Sequence, residues 1–282
     1  MKIGLVFGGG FARGAAQAGF IKGMMNFIKE EDIFLVSCSS IGGLNGLAFT
    51  NHKFEYLESM YRNSNFQNMK NLKLNLKNRI IDEILEGLLK DMKITVPLYI
   101  TGTCLTPIST HYFYVDNKTP FEEISKAINI TLTFPFVNGV VRKEYGKLYL
   151  DGGGTDNIPA HPFSYNPADV LIILHCYPRY LPPRNIIEKN KVVIDIDITS
   201  HCDDSISTYS FTHKNLNEMF DVGFEMGYKF GERFFSEGYT IESIKSKAPA
   251  YIKEELEFRK NKKAPLTAAV FFNKLQGSRN LR

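Results

Sequence analysis

Apolar residues in this chain come in short unbroken runs, each stopped by glycine, serine or proline. Residues 3–7, IGLVF, have the length and composition of a buried strand. GGG breaks that run, and ARGAAQAGFIKGMMNFIKE follows with small and apolar residues at helical spacing. Residues 33–37, IFLVS, predict a second buried strand. After Gly42 and Gly43, LNGLAFTNHKFEYLESMY predicts a helix. The order strand, loop, helix, strand, turn, helix predicts an α/β protein with a mainly parallel central sheet flanked by helices.

Further strands are predicted at 94–106 and, with alternation, at 110–117. The stretch 120–136 starts as a helix and ends before Pro135. Residues 146–163 form a strand running into a glycine turn, and 169–177 and 191–198 are two more strands. From about 205 to 282 the pattern is mostly helical, with Gly223, Gly227 and Gly231 four apart on one helix face. Charges surround them, so the spacing means close helix packing in a water-soluble setting. The stretch 59–93 stands apart. Arg62, Lys70, Lys73, Lys77 and Arg79 fall within 59–81 without an acidic residue, and Leu72, Leu74 and Leu76 alternate with polar positions. It reads as an insertion: a basic cover over the site that touches anionic lipid surfaces, or a solvated excursion. No internal repeat or low-complexity linker divides the chain, so one domain spanning 1–282 is expected.

A length of 282 residues, 44% of them hydrophobic, supports one sizeable core. The formal net charge of +4 permits attraction to anionic surfaces. No Lys/Arg run with interleaved aromatics is present, so no nucleic-acid partner is expected. Cys38, Cys104, Cys176 and Cys202 are widely spaced, without a CxxC pair, and read as free thiols in a reducing compartment. The first residues already form a strand and a turn, without a signal-peptide pattern, and no run is long enough to cross a bilayer. The expected location is the cytoplasm, with peripheral contact at membranes.

The opening MKIGLVFGGGFARG invites a dinucleotide-binding reading, which fails on spacing. Gly8 and Gly10 fill the first two glycine places of G-x-G-x-x-G, but the third falls on Arg13. Ser37 and Cys38 stand where the acidic ribose ligand belongs. No cofactor is expected. A strand, glycine loop and helix start still aim several N–H groups at one spot, which suits a phosphate or an oxyanion. Arg13 adds a positive charge there, for loop support or for an anionic head group.

The second strand ends in LVSCSSIGGLNG. A serine on a sharp strand-to-helix turn is a nucleophile elbow, patterned G-x-S-x-G. Here Ser40 takes the central place, Gly42 the last, and Cys38 replaces the first glycine. At this point the chain resembles the patatin-like phospholipases. Their GLVLGGGGARG is similar to GLVFGGGFARG here, and their GTSxGALNG to CSSIGGLNG. Their DGG or DGA with a following N-x-P is similar to DGGGTDNIP, with Asp151, Asn157 and Pro159. FPFVNGVVRKEYGKLYLDGG resembles the family's FPPV stretch. These blocks span residues 3–163 in the family's order. Phe11 and Cys38 depart from it, each standing in place of a glycine.

The resemblance implies a patatin-like three-layer sandwich and a lipid acyl hydrolase with a Ser–Asp dyad. Ser40 would attack an ester of a phospholipid or other acyl lipid, and Asp151 would take its proton. Gly9, Gly10 and Phe11 would supply the oxyanion N–H groups, while Gly152 and Gly153 let the chain bend away after Asp151. Two other readings keep the same residues: an acyltransferase or thioesterase, and a weakly catalytic lipid-binding protein. A rival triad would draw on His52, His111, His161, His175, His201 or His213, with His201 or His213 in the chain order Ser, Asp, His. His201 itself reads as a loop residue near a strand end. Asp195 and Asp197 share one strand face near His201, Asp203 and Asp204. They are read as a solvated edge-strand face, with no metal.

Overall fold

Strand β1 (Ile3–Phe7) lies in the middle of an eight-stranded sheet, with parallel neighbours on both sides. The structure is a computed structural model. It describes residues 1–63, 79–134, 141–202, 210–236, 238–260 and 262, leaving aside the side chains of 79–81. The other strands are β2 (Ile33–Cys38), β3 (Leu98–Leu105), β4 (Ile108–Val115), β5 (Arg142–Glu144), β6 (Lys147–Asp151), β7 (Val170–His175) and β8 (Val192–Asp197). Their order is β5-β6-β3-β2-β1-β7-β8, with β4 on the other edge of β3. The run β3-β2-β1-β7-β8 is parallel throughout, whereas β4, β6 and β5 are antiparallel additions. The mainly parallel α/β architecture expected from the pattern is therefore present.

Why the parallel strands are apolar without alternation follows from the layers. Ile3, Leu5 and Phe7 of β1 enter the larger core, under helices α1 (Gly14–Met24), α2 (Ile41–Thr50), α5 (Phe121–Thr131) and α8 (His213–Phe235). Val6, Leu35, Leu171 and Ile173 face a smaller core closed by Ala160, Phe163, Ala168 and Ile186, the last on α6 (Arg184–Lys189). A strand covered on both faces leaves few positions for a polar side chain, and those it has must find partners inside.

The glycines of α8 do pack closely. A Cβ at Gly223 would strike the Ala16 carbonyl of α1, and one at Gly227 the Phe20 carbonyl. Gly19 of α1 answers with an equally tight approach to the Phe220 carbonyl. Two helices thus meet backbone to backbone over the larger core.

Several boundaries differ from the sequence expectation. The helix expected to continue from Leu44 to Tyr61 is broken at Asn51–Lys53 into α2 and α3 (Phe54–Asn63), because His52 takes a left-handed φ of 58°. Strand β3 begins at Leu98, and residues 94–97 lead into it. A larger difference concerns Asp195 and Asp197, which are not solvated: they are 6% and 0% exposed. The last turns of α9 (Ile241–Arg259) fold over that edge of the sheet. Arg259 donates to Asp195 Oδ2 at 2.6 Å and to the Asp195 carbonyl at 2.6 Å, and Glu255 accepts the Asp197 N–H at 3.0 Å. Burial opposes ionisation of Asp195, but His175 and Arg259 outweigh it and keep the carboxyl below its ordinary range. His201 is also no loop residue. It ends the short helix α7 (Ile198–His201), and its Nε2 pairs with Glu255 Oε2 at 2.9 Å.

Parts of other expectations lie outside the described residues. These are 64–78 of the basic cover, with Leu72, Leu74, Leu76, Lys70, Lys73 and Lys77; Pro135 and Phe136; Asp203 and Asp204; and 263–282 of the helical C-terminal part. The flanks of the basic stretch, α3 and α4 (Arg79–Leu89), pack on one another.

Candidate active site

The turn between β2 and α2 is strained at one residue. Ser40 has φ 55° and ψ −130°, a combination that a residue with a Cβ seldom adopts, at a cost of about 1–3 kcal/mol. Four hydrogen bonds hold it there. Ser39 N–H donates to the Phe7 carbonyl (3.1 Å), Gly42 N–H to the Ser39 carbonyl (2.9 Å) and Gly43 N–H to the Ser40 carbonyl (2.8 Å). The Ser40 N–H donates to Thr131 Oγ1 (2.8 Å). Gly42 must be a glycine, since a Cβ would collide with the Phe7 carbonyl. Cys38 fits where a glycine was expected, because its thiol turns towards Gly46 of α2 and donates to the Tyr99 carbonyl at 3.2 Å. Burial pushes that thiol far above its ordinary range, which leaves it a packing group.

Asp151 arrives from the other direction. Strand β3 serves two neighbours on one edge: β2 pairs with Leu98–Ile100 and β6 with Gly102–Cys104. β2 runs parallel to β3 and β6 antiparallel, so their C-terminal ends point at one another across Thr101. That end-on meeting places Ser40 Oγ 2.7 Å from Asp151 Oδ2. The carboxylate's other oxygen caps the following turn, accepting Gly153 N–H at 2.8 Å. The turn is tight enough that a Cβ at Gly152 would collide with the Thr101 hydroxyl. Asp151 is 5% exposed. Burial raises its pKa from 3.8 to about 7, against the opposing hydrogen bonds from Ser40 and Gly153.

The glycine loop sits at the C-terminal end of β1, between β2 and β7, where the strand order turns back and ligands of such sheets bind. Its donors are not all open. Gly9 N–H donates to the Asn157 carbonyl at 3.0 Å and Asn157 Nδ2 returns a bond to the Gly9 carbonyl at 3.2 Å. Gly9 is thus spent on clasping the loop to the Asp151 turn, a correction to its expected place among the oxyanion donors. Gly10 N–H has no partner among the described residues. Phe11 takes a left-handed φ of 53°, the conformation a glycine adopts without strain, and its ring sits edge-on against Phe134 with centroids 4.8 Å apart.

Arg13 points inward. It is 8% exposed, and its Nε and Nη1 have no hydrogen-bond partner among the described residues. Its charge acts on the thiols of Cys176 and Cys202, which burial nevertheless pushes up to about 12 and about 11. None of the six histidines hydrogen-bonds to Ser40 or Asp151. β8, which leads to His201, lies three strands from β2, roughly 14 Å at the usual strand spacing. Among the described residues no group of three or more His, Cys, Asp or Glu side chains is placed to hold a metal.

Sequence reasoning passed over Thr131 and the threonines of β3. Thr103 Oγ1 donates to the Asp151 carbonyl at 2.7 Å and Thr101 Oγ1 to the Cys38 carbonyl at 3.3 Å. Isolated threonines carry no pattern, so nothing in the chain marks them before the strands are paired.

A strained serine at a strand-to-helix turn, a buried carboxyl on its hydroxyl and an open N–H beside them together suit acyl transfer through serine. The family comparison agrees with this class. The model for patatin-like phospholipases matches residues 5–164, more than half of the chain, and the chain belongs to that family, whose members are typically lipid acyl hydrolases. Among solved structures, VipD from Legionella pneumophila aligns with a TM-score of 0.46 and 12% identity, over 82% of this chain and 66% of that one, so this chain spans just under two thirds of its length. No curated protein matches the chain. No helix among the described residues is long and apolar enough to cross a membrane.

Proposed function

We propose that this protein is a lipid acyl hydrolase of the phospholipase A or lysophospholipase type, working through a Ser40–Asp151 dyad. The observation that carries the reading is the 2.7 Å hydrogen bond between Ser40 Oγ and a carboxylate whose pKa lies at about 7. A general base is most effective when its pKa is close to the working pH. Asp151 takes the proton as Ser40 Oγ attacks the ester carbonyl of an acyl lipid, and the developing oxyanion meets the Gly10 N–H, with the Phe11 N–H beside it. Asp151 then returns the proton to the leaving alcohol. Water, deprotonated by the same carboxylate, frees the fatty acid from Ser40.

The test is a fluorophosphonate probe together with release of fatty acid from phospholipid and lysophospholipid. Parent protein is expected to label and to turn over, and Ser40→Ala to do neither while keeping its fold. Ester turnover that survives Ser40→Ala refutes the assignment. The rate should also rise with pH to a plateau, with one inflection near 7, as Asp151 ionises.

A further inference from the structure

We propose that Thr131, the last residue of α5, is a positioning residue that fixes Ser40 in its attacking conformation; this rests on the Ser40–Asp151 reading above. The conformation of Ser40 is set by rotation on either side of its Cα. On the carbonyl side the anchor is Gly43 N–H, part of the start of α2. On the amide side the anchor is Thr131 Oγ1, at 2.8 Å. Of the four bonds that hold the turn, this one alone comes from a side chain, and it comes from a helix that carries neither member of the dyad.

The chain just beyond α5 also holds the main chain of Asp151. The Asp151 N–H donates to the Thr133 carbonyl at 2.8 Å. Thr133 is itself tied down, its hydroxyl donating to the Asn129 carbonyl at 2.7 Å and accepting from Arg142 Nε at 3.3 Å, while Arg142 Nη2 reaches Asn129 Oδ1 at 3.2 Å. Residues 131–133 are therefore one rigid piece bonded to the main chain of both Ser40 and Asp151. Their relative position fixes the 2.7 Å Ser–Asp contact. Without the hydroxyl of Thr131 the strained Ser40 loses the anchor on its amide side, and Oγ drifts from Asp151. A displacement of about 1 Å at a reacting group costs on the order of a hundredfold in rate.

Thr131 has two groups with separable tasks. Its methyl packs towards Gly43 of α2, whereas its hydroxyl bonds Ser40. Thr131→Val keeps the methyl and deletes the acceptor; Thr131→Ser does the reverse. The measurements are the rate of fluorophosphonate labelling, kcat and KM on a soluble ester, and the urea midpoint of each variant. Thr131→Val is expected to lose roughly 10- to 100-fold in kcat and labelling rate with KM within about twofold. Thr131→Ser should stay within about fivefold of the parent although it removes the packed methyl. If Thr131→Val does not fold, Thr131→Ala, which adds no bulk, must show the same loss. A valine or alanine variant that labels at the parent rate overturns the proposal, as does a serine variant as slow as the valine one. Ser40→Ala is run beside them. Labelling that survives it refutes the Ser40 assignment itself, whereas labelling lost there but unchanged in Thr131→Val refutes only the role of Thr131.

Discussion

Replacing Asp151 by asparagine should make the protein inactive and, above neutral pH, more stable. The carboxyl is buried, and its pKa is raised from 3.8 to about 7. A difference of about 3 units corresponds to about 4 kcal/mol between the two protonation states. The folded protein holds the proton more tightly than the unfolded chain. Below pH 4 both are protonated, and the group is neutral with respect to stability. Between pH 4 and 7 the unfolded chain ionises while the folded one does not, so stability falls as pH rises. Above 7 the whole cost of a buried charge is present. Asparagine has no charge to bury, and it can donate Nδ2–H to Ser40 Oγ while its Oδ1 accepts the Gly153 N–H. The difference in stability between Asp151→Asn and parent should therefore be near zero at pH 4 and rise to about 2–4 kcal/mol by pH 8.5, or roughly 3–7 °C in unfolding midpoint for 282 residues. Urea and thermal unfolding followed by circular dichroism at four pH values would measure it. Ester turnover should fall by roughly two to four powers of ten. A stability difference that stays flat with pH, or that favours the parent at pH 8.5, would refute the buried-base argument whatever happens to the rate.

Other expectations address strain, packing and the competing base. Ser40→Gly and Ser40→Ala are equally inactive, but the glycine variant should be more stable by about 1 kcal/mol, because it alone takes φ 55° without strain; equal unfolding midpoints would count against a strained elbow. Gly223→Ala places a methyl against the Ala16 carbonyl and should cost about 3 kcal/mol or prevent folding, read from unfolding curves, while Gly238→Ala, with nothing around it, should cost about 1. Changing each of the six histidines to glutamine should leave kcat/KM within about tenfold. His201→Gln should lower stability instead, through the lost partner of Glu255, and a folded His201 variant as inactive as Ser40→Ala would replace the dyad by a triad.

The fold was legible where local rules suffice. Short apolar runs marked the five parallel strands, and the four-residue glycine spacing of α8 announced a close helix crossing, whose partner the structure shows to be α1, because each pattern is local and physically specific. The misreadings of Asp195, Asp197 and His201 share one cause. Asp195 and Asp197 alternate with apolar residues, as a solvated strand face does. Only the arrival of Arg259 and Glu255, some sixty residues later, turns that face into a buried ion network. His201 changes character for the same reason. The split between α2 and α3 rests on one left-handed residue, His52, for which the sequence carries no glycine as a marker.

The candidate site divides along the same line. Ser40 and the glycine loop stood out because a tight turn or a close backbone approach demands small residues at fixed spacing, and Asp151 stood out through the resemblance of DGGGTDNIP to the patatin-like phospholipases. What brings Ser40 and Asp151 to 2.7 Å leaves no such trace. It depends on β3 offering one edge to two strands in turn, β2 up to Ile100 and β6 from Gly102, so that two chain ends 111 residues apart meet head-on. It depends equally on Thr131 and Thr133, which look like ordinary residues at the end of an amphipathic helix and touch the dyad only through main-chain groups. A main-chain contact places no demand on the type of residue it holds. The supports of the Ser40–Asp151 pair therefore leave no mark in the residues they hold, and they become visible only when the hydrogen bonds of each strained backbone group are followed to their ends.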